Sequence, residues 1–353
     1  MRRIIFVILA ILIPVFLLTS GGGAEGGKGK KSLVLYTWSD MFPSEILDSF
    51  EKDTGIRVNY VNFDYNETML AKLQAAKGGS YDLIIADDYM VENVIKEGLT
   101  KKLDRSRLSN YRNINPLYQK QFYDPADEYT VPYGAGIQTI VYDPRQIDIP
   151  IRRYADLWNP LLARKLGIIA NFRVINGMAL KVMGQSYNTN DLEQIRKAGD
   201  YLKALAPNIR LIRDDNLQDE LISGEISAAV MYTSQVTMVM MERPDFTVVF
   251  PTEGLGFGIM AAFIPARAPN SDAAHAFLNY ILDPERGARC FENLGYYSTF
   301  AASDTLINEE YRQFLTLPAS FNKGSMEMIQ NISEEAETLH NRVWTEFKAA
   351  AGQ

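Results

Sequence analysis

The feature that most restricts this chain is a repeated alternation of short apolar runs with longer stretches of helical periodicity. Ser32–Tyr36 (SLVLY) reads as a buried strand. Pro43–Thr54 reads as a helix: Pro43 suits a first turn, Ile46, Leu47 and Phe50 share one face, and Gly55 stops it. Arg57–Phe63 alternates as a strand. Asn66 is placed to cap a helix carrying Met69, Leu70 and Leu73 that ends near Gly78. Asp82–Ala86 is a short apolar strand, and a helix runs from Asp88 to Gly98. A βαβαβ order predicts a mostly parallel sheet with right-handed crossovers.

A second series follows Pro144. Strands are expected at Leu166–Ala170, Ile209–Ile212 and Ala228–Tyr232, with helices at Gly177–Gly184, Asp191–Leu205 and Leu217–Gly224. Phe246–Pro265 holds two extended stretches broken by glycines. Helices then cover Asp272–Leu282, Pro284–Leu294 and roughly Ser325–Ala349. Two α/β series joined by extended segments near Tyr129–Tyr142 and Phe246–Pro265 predict an α/β protein of two lobes, with a cleft between them and a hinge in the crossings. The lobes are expected at 32–135 plus 259–305, and at 136–258 plus 306–350.

The N-terminus bears on location. Arg2 and Arg3 precede an apolar run, Ile4–Leu18, and the small residues Thr19, Ser20 and Gly21. This is the layout of a secretory signal over 1–20, and the run is shorter than the ~20 residues that span a bilayer. Residues 21–31 (GGGAEGGKGKK) have too few apolar groups to fold and read as a flexible tether. Leu18-Thr19-Ser20 resembles the start of a lipoprotein cleavage box, but position 21 is Gly rather than Cys. The expected location is therefore periplasmic or extracytoplasmic. Either the chain is cleaved and free, or its N-terminus holds it at a membrane surface. A net charge of −7 argues against nucleic acid, which calls for a basic face.

Catalytic and metal chemistry is thinly represented. Cys290 is the single cysteine and His275 and His340 the only histidines, all in helical patterns. No G-x-S-x-G, HExxH, Walker loop or complete G-x-G-x-x-G occurs, since Gly254, Gly256 and Gly258 lack the last spacing. An enzyme, a resident cofactor and a metal site are not expected. What recurs instead is aromatic and acidic residues at strand ends, the edge where open parallel sheets bind ligands. Trp38, Ser39 and Asp40 follow the first strand, and Asp87, Asp88 and Tyr89 the third. Tyr232 ends a later strand and Tyr296 follows a helix. Each also has a purely structural reading: Asp87 or Asp88 as a helix cap, Trp38 as core, Asp40 as a cap for the Pro43 helix.

From YTWSDMFPSEILDSFEKDTGIRVNY, through NETMLAKL and YDLIIADDYMVENVIKEGLTKKLD, to ADLWNP, and again in PTEGLGFG and NLGYYST, the chain resembles the spermidine/putrescine-binding proteins of ABC polyamine importers. The resemblance implies the type II periplasmic-binding-protein fold, a monomer, a polyamine ligand and a permease partner. It implies that Trp38 and Tyr89 stack on the methylene chain, that Asp40 takes a terminal ammonium with Ser39 beside it, and that Tyr232, Tyr296 and Gln330 complete the site. Aromatic faces attract cations by ~0.5–2 kcal/mol each. The chain departs from the family where Asn171 and Val174 stand for a D-x-x-E pair, where Gly258 and Met260 stand for W-x-D with Phe257 as a substitute ring, and where Met41 replaces a common Tyr. Asp87 and Asp88, where the family tends to have hydroxyls, are extra acids. Three other readings stand beside this one. One keeps the transport role but takes an amino acid, a sulfonate or a metal chelate, with Arg173 beside Asn171 serving an anion. The others are an enzyme on the same lobes and a surface adhesin.

Overall fold

A computed structural model describes residues 31–213, 216–315 and 326–353. The signal segment, residues 21–30 of the tether, and Ser325 lie outside the described residues.

The first βαβ unit forms as its pattern dictates. β1 (Ser32–Thr37) leads through α1 (Ser44–Thr54) to β2 (Arg57–Asn62), which pairs with it in parallel. Pro43 sits at the N-cap of α1, and Gly55 ends the helix at φ 69, a left-handed conformation that glycine adopts without a Cβ penalty. α2 (Asn66–Ala75) leads to β3 (Leu83–Asp87), parallel to β1 on its other side, and then to α3 (Asp88–Lys96). Asn66 does not cap α2: Tyr65 holds the N-cap position, and the Asn66 side chain is drawn to Asp87 and Tyr89 instead.

The other parallel set is β5 (Leu166–Ile168), β6 (Ile209–Ile212) and β7 (Ala228–Tyr232), with α4 (Phe172–Val182), α5 (Leu192–Lys203) and α6 (Leu217–Ser223) between them. α4 begins five residues earlier than its periodicity suggested, because Asn171 caps it through a hydrogen bond from the Val174 amide. α7 (Thr233–Glu242), rich in Thr, Val and Met, carried no helix expectation.

The expectation of a mostly parallel sheet holds for these two sets and fails between them. β4 (Thr130–Tyr142) and β9 (Leu255–Phe263) are long strands, antiparallel to each other and to the flanking β7 and β3. The sheet order is β2-β1-β3-β9-β4-β7-β5-β6. Short β8 (Thr247–Val249) pairs with β4. α8 (Ser271–Ile281), α9 (Pro284–Leu294) and α10 (Glu309–Leu315) follow, and β10 (Met326–Met328) pairs in parallel with β9. Residues 326–333 were expected inside the last helix. They are strand and extended chain, and α11 (Glu334–Ala350) starts only where Ser333 caps the Ala336 amide.

Register explains where a site can form. β3 runs parallel to β4 through β9, and its last residue, Asp87, stands opposite Met260, next to the Ile259 that faces Ala135. β7 runs against β4, and its last residue, Tyr232, stands opposite Gln138. The C-terminal edges of the two parallel sets therefore both arrive at residues 134–138, midway along β4. There the β4–β9 ladder is broken by a shift between Pro132 and Ala135, with Gly134 at φ 84.

Two buried apolar clusters hold the elements. One gathers Phe50, Phe277, Phe291, Phe300 and Tyr133 under β1, α8 and α9; the other runs from Tyr36 and Val91 to Ile175, Leu202 and Phe347. Burying a ring such as Phe50 stabilises by ~1.5–3 kcal/mol. Among the described residues, no helix is long and apolar enough to cross a membrane.

Candidate ligand-binding site

A cavity of about 670 Å³ opens where the strand edges meet. Its floor is β4, through Gly134, Gly136 and Gln138. Gly136 has to be glycine here: a Cβ would come within 2.8 Å of Tyr296 Cε1. The Tyr296 ring is carried to that spot by its neighbour, as Tyr297 and Ala135 exchange backbone hydrogen bonds of 2.9 and 3.0 Å.

Of the residues named from sequence, Trp38, Asp87, Asp88, Tyr89, Asn171, Tyr232, Phe257, Tyr296 and Gln330 all line this cavity. Ser39 and Asp40 do not: both are exposed. Asp40 sits in a turn at φ 57, its carbonyl accepting from Asn293 Nδ2 at 2.8 Å. The turn that presents Trp38 to the cavity carries the next two side chains away from it.

Trp38 is fixed from behind. Its ring centroid lies 4.8 Å from that of Phe63, and its carbonyl accepts from Tyr60 Oη at 2.6 Å. Tyr89 Oη accepts from Asn66 Nδ2 at 3.1 Å, and Tyr232 Oη from Asn171 Nδ2 at 3.2 Å. The hydroxyls are therefore held while the ring bodies line the cavity.

The two acids at the end of β3 differ. Asp88 is buried (3 % exposed) and both its oxygens are engaged: Oδ1 accepts from the Tyr89 amide at 2.7 Å, and Oδ2 from the Ile259 amide at 2.8 Å. It ties α3 to β9. Asp87 is half-buried, and its Oδ2 accepts from Asn66 Nδ2 at 2.8 Å. Although Asp87 occupies the N-cap position of α3, its side chain makes no capping bond. Burial raises the Asp87 carboxyl to about 6, against the hydrogen bond from Asn66, with Glu67 adding repulsion. Burial likewise raises Asp88 to about 8, partly offset by the Ile259 amide and reinforced by Asp87. Glu67, exposed on α2, adds a further carboxylate to this wall.

The facing wall is different. Asn171, Phe172, Arg173 and Val174, the start of α4, line it with Gln330 and Ile329. Arg173 Nη2 donates to the Tyr187 carbonyl (3.1 Å) and to Asn188 Oδ1 (3.3 Å). Its Nε is buried with no partner among the described residues, and burial lowers its pKa although Glu337 works the other way. Asn188 is a hub that sequence reasoning missed. Its Oδ1 also accepts from the Gln330 amide at 2.8 Å, and its Nδ2 donates to the Met328 carbonyl at 2.8 Å. The neighbouring Asn331 reaches across the cavity, donating to the Tyr89 carbonyl (3.0 Å) and Glu92 (2.7 Å) on α3. Asn188 and Asn331 lie in segments with no motif, so no local signal marks them, and Asn66 carried only a helix-cap signal.

Gly258, Met260 and Phe257 also line the cavity, with Met41 nearby. A Cβ on Gly258 would meet only Asp88 Oδ2, at 3.5 Å. The two histidines are elsewhere and both are buried. His275 Nε2 accepts from the Asp104 amide at 2.9 Å. His340 is contacted by Asn176, and burial lowers its pKa to about 4. Among the described residues, no group of three or more His, Cys, Asp or Glu could hold a metal ion.

Comparison with known proteins gives the family and the fold. The sequence profile for the family described as bacterial extracellular solute-binding protein matches residues 45–313. The chain is 31% identical over 343 residues to the spermidine/putrescine-binding periplasmic protein of Salmonella typhimurium, covering 96% of this chain and 97% of that one. It is 25% identical to the putrescine-binding periplasmic protein PotF of Escherichia coli, covering 91% and 92%. Among solved structures, the spermidine/putrescine ABC transporter substrate-binding protein PotD of Streptococcus pneumoniae, in complex with calcium and HEPES, superposes with a TM-score of 0.83. That match has 28% identity and covers 91% of this chain and 99% of the other.

Proposed function

This chain belongs to the bacterial extracellular solute-binding proteins, and from that premise we propose that it captures a polyamine outside the cytoplasm and delivers it to the permease of an ABC importer. The observation that carries the reading is the composition of one cavity. Four aromatic residues, Trp38, Tyr89, Tyr232 and Tyr296, surround a wall where Asp87 offers a carboxylate backed by Asp88. Its volume falls within the ~300–1,000 Å³ of small-molecule sites. Rings facing an alkyl chain bury it, and their π faces attract the ammonium groups. Asp87 supplies the charge-assisted hydrogen bond, worth roughly 1.5–3 kcal/mol. The extracytoplasmic relatives and the signal-like N-terminus support export, with the tether either removed or holding the chain at a membrane.

In this reading the protein is a monomer of two lobes, 32–135 plus 259–305 and 136–258 plus 306–350, that close on the ligand as the paired crossings β4 and β9 flex. Nothing in the cavity resembles an activated nucleophile, and the family role is transport. The test is calorimetry of the purified chain with putrescine, spermidine, spermine, a set of amino acids and a set of sulfonates. Micromolar or tighter binding of an amine, lost in Asp87→Ala, is expected. Binding of the sulfonates or neutral α-amino acids alone would sink the reading.

A further inference from the structure

The cavity has one acidic wall, and the asymmetry bears on what the far end of the ligand can be. Asp87, Asp88 and Glu67 lie together on β3, α3 and α2. On the α4 side the lining is Asn171, Arg173, Val174 and Gln330, and Glu337 is the one carboxylate there, exposed on α11. Arg173 is held by a backbone carbonyl and an asparagine oxygen, both neutral, and its Nε has no acceptor among the described residues. α4 and α7 both begin at this wall with no acid in their first turns, whereas α3 carries Asp88 in its own. Helix starts are regions of positive potential, which adds to the Arg173 charge. A second ammonium placed here would meet a part-buried cation, and the one carboxylate near it, Glu337, is exposed and already faces Arg173.

We infer that the cavity prefers an amine capped at its far end: one primary ammonium at the Asp87 wall, and a carbonyl or carboxylate oxygen at the Arg173 wall, as in an N-acylated polyamine or an ω-amino acid. The capping oxygen accepts from the Arg173 guanidinium and from the Gln330 side-chain carboxamide, since both residues line the cavity. Val174 and Met260 leave the approach apolar. This rests on the amine reading of the Asp87 wall and narrows it.

The test compares the affinities of the purified chain for putrescine, spermidine, N-acetylputrescine, N1-acetylspermidine and 4-aminobutyrate at neutral pH, in the native protein, Arg173→Gln and Asn171→Asp. A capped amine binding at least tenfold tighter than its parent is expected, with the acylated and carboxylate probes separating the two oxygen sources. Arg173→Gln should shrink that ratio. Asn171→Asp keeps a residue that caps α4, guarding against misfolding, and should raise affinity for the free diamine while weakening 4-aminobutyrate. Tightest binding of putrescine or spermidine, or a ratio unmoved by both substitutions, would overturn the inference and leave the polyamine receptor standing. Failure of every amine, capped or free, would remove both.

Discussion

α3 and α4 start on opposite sides of one cavity, from the same extended N-cap backbone, and use it in contrary ways. Asn171 turns its side chain inward along its own helix and accepts from the Val174 amide at 3.1 Å. Asp87 makes no bond to its own helix and accepts instead from Asn66, a residue of α2. The first arrangement stabilises a helix and leaves a neutral surface. The second leaves a carboxylate in the cavity, at an energetic cost visible in its raised pKa. Position at a helix start therefore does not decide whether a polar side chain serves the fold or the ligand; the partner it faces does.

The sharpest way to break this contrast is Asp87→Ala. Affinity for a polyamine should fall by about 2 kcal/mol, roughly thirtyfold in calorimetry, while the melting temperature of the ligand-free protein holds or rises. A large loss of stability would make Asp87 a cap after all. Next comes pH. The carboxyls of Asp87 and Asp88 lie above their ordinary 3.8, at about 6 and about 8. Above about pH 4 the unfolded chain has released these protons, whereas the folded, empty protein keeps them up to about pH 6 at Asp87 and about pH 8 at Asp88, so stability contributed by the neutral forms is lost as pH rises through the folded values. A cationic ligand favours the ionised forms, so its affinity should grow about tenfold from pH 5 to 7, and its thermal stabilisation with it. Affinity that is flat over that range would dissociate Asp87 from the ligand.

Asn171→Ala sharpens the other side. Loss of the cap should cost about 1 kcal/mol of stability in denaturant unfolding, with a smaller change in affinity than Asp87→Ala. The least effect is expected of Asp40→Ala. Being exposed and outside the cavity, it should change affinity by less than about threefold, within the usual weakness of exposed charges.

The regular parts of the molecule were legible because their periodicity is local. β1, β6, β7 and α9 follow directly from apolar spacing and from stops such as Gly55. The strand-end rule also led to Trp38, Asp87, Tyr89 and Tyr232, because parallel strands deliver their C-terminal residues to one edge. Three things were not legible. Which residue of a turn faces the cavity depends on a single φ, and at Asp40 that angle is 57°. The antiparallel insertion of β9 between β3 and β4 joins residues far apart in sequence, and no local pattern encodes it. Residues 326–328 look helical by composition but gain more by pairing with β9.

One small detail of β9 has a larger meaning. At Gly258 the backbone runs past the cavity with nothing nearer than ordinary contact where a side chain would begin. A methyl grafted there would take up cavity space next to Asp88 at ordinary contact distance. Cavity length is thus set beside Asp88 by the absence of a side chain at this one position, while the strands around it keep their pairing.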